Sequence, residues 1–186
     1  MSTFYRFAGL AVVLISFGLL VSALPSPRAE DAAWVITGTD PVSLICADFL
    51  VKVKACLDVI AGCQDLVTLK VKILVFVSLC NACAADLLKI GVGVKITADA
   101  QASIVKCFAA FLILFVKVFA DASVKFGLTV IVALCAQIDV CIKALLVTLN
   151  ICIDGVLALI VKECAGAVTG VFVSLKLKLC LALFGF

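Results

Sequence analysis

Between Asp99 and Glu163 the chain reads as two long helices, each carrying one narrow polar stripe. In the first, Asp99, Ser103, Lys106, Lys117, Asp121 and Lys125 recur at steps of three, four or eleven. At about 100° per residue they fall within roughly one third of the circumference. The remaining surface carries Ile104, Val105, Phe108, Phe111, Leu112, Phe115, Val116 and Phe119. The second helix repeats the device with Asp139, Lys143, Asn150 and Asp154 at steps of four, seven and four. Asp121/Lys125 and Asp139/Lys143 read as i,i+4 surface ion pairs rather than as an acid and a base. An ordinary surface helix buries about a third to a half of its circumference; these call for about two thirds.

Upstream, a helix opens with Asp40 as N-cap and Pro41 at the first helical position, where the missing N–H is harmless. It runs to about Ala61, carries an Asp48/Lys52 pair and stops at Gly62. From Gln64 to Ile90 two patterns compete. Thr68, Lys70 and Lys72 alternate with Val67, Leu69, Val71 and Ile73, as in a strand; Asp65, Thr68, Lys72, Ala82, Asp86 and Lys89 share one helical face. Length favours the helix, with Lys70 left to snorkel. Gly91 and Gly93 break the chain, Thr97 or Asp99 starts the long helix, and Gly166, Thr169 and Gly170 make a further break. Residues 66–77 and 171–183 stay open between helix and strand on pattern alone.

Residues 1–23 read as a secretory signal peptide: Arg6 closes a positive start, Phe7 to Val21 is apolar, and Val21-Ser22-Ala23 offers a small-residue cleavage site before Pro25. Residues 24–40, LPSPRAEDAAWVITGTD, form a polar N-terminal arm in which Trp34 reads as a packing anchor. Residues 41–186 then make one hydrophobic, cysteine-rich helical domain. Hydrophobic residues make up 66% of the 186, and mean hydropathy is +1.38, far above the globular norm of about 45–50% apolar. A net charge of +3, dispersed and often partnered by Asp, excludes a nucleic-acid surface.

Eleven cysteines, Cys46, Cys56, Cys63, Cys80, Cys83, Cys107, Cys135, Cys141, Cys152, Cys164 and Cys180, follow the cleavage site. In an oxidising compartment this density predicts a disulfide framework of unstated connectivity, with at least one thiol left over. Cys141 and Cys152, eleven apart, and Cys56 and Cys63, seven apart, share helix faces and do not bridge each other. They suit either staples to a neighbouring helix or small apolar packing. The fold expected is therefore all-α: a disulfide-stapled bundle of four or five amphipathic helices with very wide apolar faces.

Candidate chemistry is sparse. The chain has no histidine, which removes Ser–His and Cys–His pairs and imidazole ligands. Cys80-Asn81-Ala82-Cys83 is a lone C-x-x-C without the second pair a zinc site needs. Gly91-Val92-Gly93 lacks the rest of a phosphate loop, and neither Asn81 nor Asn150 heads a glycosylation site. No catalytic, cofactor-binding or metal-binding residue is assigned, and the chain is expected not to be an enzyme. A membrane span needs about 20 apolar residues. Lys72 to Asp86 and Lys125 to Asp139 each enclose 13 residues, and Glu163 to Lys176 encloses 12. A soluble or interfacial bundle is favoured over a polytopic protein.

The leader, the LPSPR start and lysine-dotted hydrophobic stretches such as CIKALLVTLNICIDGVLALIVKECAGAV give the chain a recognisable character. It resembles the small secreted, hydrophobic, cysteine-rich wall and matrix proteins of mushroom-forming fungi, the Schizophyllum type. Hydrophobins proper differ, since their adjacent cysteine doublets are absent here. The resemblance implies a role in wall or matrix adhesion. The expected function is that of a secreted, non-enzymatic structural or adhesive protein acting through hydrophobic surface at a cell wall, matrix or air–water interface. The alternatives are a secreted lipid-binding or membrane-active protein and a polytopic membrane protein. Expected partners are further copies of the chain, or a lipid or hydrophobic surface, and no nucleic acid.

Overall fold

The computed structural model describes residues 34–186, so residues 1–23, read above as a signal peptide, and the first part of the polar arm lie outside it. Among the described residues every regular element is helical: α1 (Pro41–Gly62), α2 (Leu66–Ile90), α3 (Ala98–Phe126), α4 (Leu128–Cys152), α5 (Val156–Ser174) and the short α6 (Lys178–Leu183). Two starts use one local device. Asp40 accepts the Ser43 amide at 2.9 Å and its hydroxyl at 2.6 Å, and Asp65 does the same for Thr68 at 2.8 and 2.7 Å. Each carboxylate thus satisfies an amide that no helical carbonyl reaches. Thr97 caps α3 through the Ala100 amide at 3.2 Å.

The long helices alternate in direction. Phe49 of α1 meets Phe108 and Phe111 of α3, while Lys125 at the far end of α3 reaches the residues that follow α1, so α1 and α3 run parallel. Helices α2 and α4 run side by side the other way. Their C-terminal ends are tied by the Cys152 thiol donating to the Leu87 carbonyl at 3.3 Å. The backbone beyond α2 adds the Gly93 and Val94 amides, which donate to Ile151 and Cys152. Helix α5 packs along α3, and α6 folds back over α4 and α5.

Helix α3 is the axis of the core. Phe108, Phe111, Phe115 and Phe119 are all fully buried, as their steps of three and four require. Phe76 of α2 lies 5.8 Å from Phe115 and 6.2 Å from Phe111, and Phe172 of α5 lies 6.5 Å from Phe115. Its polar stripe holds as read. Asp99, Lys106, Asp121 and Lys125 are exposed, and Ser103 and Lys117 are half-buried.

Four expectations are corrected. The run Gly166-Thr169-Gly170 does not break the chain, because α5 continues to Ser174. Both glycines face outward while Ile160, Cys164, Val168, Val171 and Phe172 pack inward, and that burial outweighs the roughly 1 kcal/mol propensity cost of each glycine. Residues 66–77, by contrast, form the helix that length favours, and the tail, open on pattern alone, is helix, turn and helix, with no strand among the described residues. The second polar stripe is not a wet one. Asp139 is 6% exposed and accepts the amides of Leu179 and Cys180 at 2.8 and 2.9 Å, while Asn150 accepts the Leu157 amide at 3.1 Å. Likewise Lys125 turns away from an i,i+4 pairing to donate to the Cys63 carbonyl and to Gln64.

The fourth correction concerns the staples. All eleven cysteines, from Cys46 to Cys180, are buried free thiols, and no two sulfurs lie at bonding distance. They occupy the inward faces of their helices as small apolar packing residues. Their S–H groups turn to carbonyls instead: Cys63, just past the end of α1, to Val59, Cys141 to Ile138 and Cys164 to Ile160 within a helix, Cys56 to Lys72 and Cys180 to Asp139 between helices. Cys80 and Cys141 face one another across α2 and α4 within hydrogen-bonding reach.

Candidate functional site: an uncharged outer face

The cysteines singled out by the sequence do not converge on a reactive centre. Burial pushes the thiols of Cys83, Cys135 and Cys164 up to about 12 and that of Cys107 to about 11, so they stay protonated at neutral pH. Cys80 and Cys83, the C-x-x-C pair, both point into the core. Among the described residues no group of three or more His, Cys, Asp or Glu is placed to hold a metal ion. Between α1 and α2 runs an open groove of about 280 Å³, lined by Leu44, Phe49, Leu79 and Cys83 with Asp48, Lys52 and Asp86 on its rim. Its Asp48 and Lys52 are already paired to each other at 2.6 Å. Trp34 packs against the core with the Lys54 ammonium 5.4 Å from its ring, as an anchor of the arm should.

The unusual feature lies outside the core. In a water-soluble bundle each outer helix turns charge to solvent. Helices α1, α3 and α5 do so, with exposed Asp48, Lys52 and Asp58, with Asp99, Lys106 and Asp121, and with Lys162 and Glu163 respectively. Helix α4 does not, and α2 does so only near its ends, at Lys70 and at Asp86 and Lys89. From Val71 to Ala85 the exposed positions of α2 are Val71, Leu74, Val75, Ser78, Asn81, Ala82 and Ala85, an uncharged strip about 21 Å long. Leu74 is 57% exposed, and Val67, one turn before the strip, is 74%.

Helix α4 has no exposed charged residue over its whole length. Its outer positions are Thr129, Ala133, Ala136, Gln137, Val140, Ala144 and Ile151, spanning about 33 Å. Its only charges are the buried Asp139 and the half-buried Lys143. Because α2 and α4 lie side by side, the two strips adjoin. The bundle is thus uneven, with charge along α1, α3 and α5 and an α2–α4 side that is uncharged over the middle of α2 and the length of α4.

The sequence reading missed this face. Of the residues read as one helical face, Asp65, Thr68, Ala82, Asp86 and Lys89 are exposed and Lys72 half so, but the outward side of α2 extends past them onto Val67, Val71, Leu74 and Leu88. The available signal was the stretch Ile73 to Ala85, which holds only Ser78 and Asn81 as polar residues and so cannot supply a solvated helix face. No protein-family model matches this chain, and no similar protein is found among curated proteins.

Proposed function

We propose that the protein is a non-enzymatic structural or adhesive protein that works by presenting apolar surface to an apolar–water boundary, such as a wall, a matrix or an air–water interface. One observation carries the reading: the adjoining uncharged strips of α2 and α4 on a bundle whose other helices are charged. Single exposed hydrophobic residues are ordinary, but a contiguous uncharged face two helices wide marks an interaction surface. Such a bundle adsorbs with its α2–α4 side in the apolar phase and its charged side in water. No charged group of the two strips then needs to be desolvated, only the neutral side chains of Ser78, Asn81, Thr129 and Gln137, and each buried valine or leucine contributes about 1.5–3 kcal/mol when fully covered. Export to a wall or matrix is part of the same proposal and rests on the leader-like residues 1–23.

A second reading, insertion across a membrane, is favoured by one observation: α2, α3, α4 and α5 are each long and apolar enough to span. Against it stand Lys106 on α3 and Lys162 and Glu163 on α5, exposed near the middle of their helices. The test is adsorption of detergent-free protein to a clean air–water interface, followed as surface pressure, and to a hydrophobic solid. Rapid saturation of both is the expected outcome. Protein that leaves surface tension unchanged, or that leaves its source only with detergent, contradicts the proposal.

A further inference from the structure

The outward positions of α2 answer one another across its midpoint. The helix is 25 residues long and Ser78 is its middle residue. Lys70 and Asp86 lie eight residues to either side of Ser78, Val71 and Ala85 seven, and Leu74 and Ala82 four, all of them exposed. Each couple thus sets a positive group against a negative one, or a large side chain against a small one. Helix α4 has the same length, with Val140 in the middle and the exposed Ala136 and Ala144 four residues to either side. The two midpoints are neighbours, because Cys80 and Cys141, just beyond Ser78 and Val140, face each other across the helices. The charges around the face sum to zero and follow the same plan. Lys70 and Lys72 outnumber Asp65 at the N-terminal end of α2, Asp86 and Asp154 outnumber Lys89 at the other end, and Asp139 and Lys143 flank the middle of α4.

From this self-complementarity we infer that the α2–α4 face docks on the same face of a second copy of the chain, about a two-fold axis crossing both helices near Ser78 and Val140. Each helix then lies antiparallel on its own counterpart. Val71 and Leu74 come over Ala85 and Ala82 of the second copy, and Lys70 over Asp86, so that ridges meet hollows and opposite charges meet twice. Lys89 holds only one oxygen of Asp86, at 2.6 Å, which leaves the other for a second cation. The neutral polar residues of the strips favour this occupant. Ser78 lies at the axis, where a residue meets its own copy, and its hydroxyl both donates and accepts, as do the amides of Asn81 and Gln137. An apolar phase leaves these groups desolvated and unpaired. Strips of about 21 and 33 Å on helices about 10–12 Å across amount to roughly 600 Å² in plan. A ridged surface has more accessible area than its plan, which brings the face near the roughly 800 Å² per partner of a standard interface. The inference goes beyond the apolar-boundary reading, for it states what covers the face in water before any boundary is met.

The test is sedimentation equilibrium of the protein isolated from its host without detergent, over a range of concentrations. Monomer and dimer should account for all of it, since a two-fold face closes on itself. Leu74→Glu and Val140→Glu, each at a 57% exposed site, should leave only monomer, with circular dichroism showing the helices intact. Val51→Glu, at a 72% exposed site on α1, should leave the dimer unchanged. Lys70→Glu and Asp86→Lys should each weaken the dimer roughly tenfold, because each acts at two symmetric places, and the two exchanges combined should restore it.

Several results would overturn the inference. A chain that is monomeric at every concentration, or one that grows into open-ended aggregates, has no such two-fold contact. A dimer indifferent to Leu74→Glu, or equally broken by Val51→Glu, uses another surface. Losses from Lys70→Glu and Asp86→Lys that add in the combined variant reject the antiparallel register. Surface activity is read separately on the same samples. A monomer that still adsorbs leaves the apolar-boundary reading standing, whereas a dimer that never lowers surface tension defeats that reading and not this one.

Discussion

Replacing Asp139 tests how the C-terminal segment is held. Its two carboxylate oxygens accept the amides of Leu179 and Cys180 at 2.8 and 2.9 Å, at the first turn of α6, where no helical carbonyl is available. Both bonds are charge-assisted and shielded, since Asp139 is 6% exposed and Cys180 fully buried. Hydrogen bonds to a charged group contribute about 1.5–3 kcal/mol each, and orphaning a buried amide costs about 1–3 kcal/mol. Asp139→Ala therefore threatens up to roughly 6 kcal/mol. The loss is limited by local detachment, because once α6 leaves, its amides reach water. What then disappears is the burial of Leu177, Cys180 and Phe184, the last stacked on Phe172 at 5.4 Å. We expect a loss of about 2–4 kcal/mol, or roughly 5–15 °C in Tm for a domain of this size. Hydrogen exchange should show the amides of Leu179 and Cys180 losing protection before any in α3. Lys143→Gln is the control, for if Asp139 served an i,i+4 ion pair the two variants would be equally damaging. Unchanged exchange at Leu179 and Cys180 in Asp139→Ala would refute the tertiary cap.

Phe115→Asp places a carboxylate among Phe76, Phe119 and Phe172 and should cost at least about 4 kcal/mol, abolishing folded yield, whereas Lys117→Gln on the stripe should change Tm by under about 2 °C. Thiol titration of protein prepared without reductant should find all eleven cysteines in denaturant and almost none at neutral pH in the folded state; fewer than eleven would restore the staples. Because burial raises the folded thiols of Cys83, Cys135 and Cys164 to about 12 from an ordinary 9.0, the unfolded chain loses those protons first. Stability should be full below about pH 9 and fall as pH rises toward 12, measured as a declining denaturant midpoint. At the acid end, burial pushes the Asp40 carboxyl up, but the hydrogen bonds from Ser43 outweigh it, and Thr68 holds Asp65 down. Both caps are present above the ordinary value of 3.8 and are lost as pH falls below it, so the protection of the Ser43 and Thr68 amides, measured against their intrinsic exchange rate at each pH, should fall in acid.

How far the fold could be read from sequence depended on the range of the interactions involved. Asp40, Pro41 and Gly62 mark the ends of α1 because capping acts within one turn. The Asp48–Lys52 pair forms for the same reason. The α3 stripe and its phenylalanine ridge were legible because polarity there is confined to one side of the wheel. The tertiary caps were not. Asp139 acts forty residues downstream and Lys125 sixty-two upstream, and in each case the nearer i±4 partner offered a simpler explanation. The cysteines were misread because density was taken as a sign of oxidation, while inward helix positions equally suit a small thiol. The α2–α4 face escaped because a helix uncharged over Ile73 to Ala85 has no polar side to orient it; only its neighbours decide which valines are covered.

That last point also bears on orientation at a membrane. Helix α3 spans about 42 Å, more than the roughly 30 Å of a bilayer core, so its hydropathy alone would permit crossing. If the midpoint of α3, near Leu112, sat at the bilayer centre, Lys106 and Lys117 would lie within about 9 Å of it, well inside hydrocarbon. Lys162 and Glu163 are within about 5 Å of the middle of α5. On the insertion scale charges this deep cost about 2.5–3.5 kcal/mol apiece, so four total roughly 10 kcal/mol before snorkelling relieves any of them. Lying flat on the α2–α4 side imposes none of that cost, because every one of these residues belongs to a charged helix on the other side of the bundle. High hydropathy does not by itself specify spanning here. Two populations of apolar residue produce it: one closed around the rings of α3, the other left on the outside of α2 and α4, where on the proposed function an external apolar phase would complete its burial.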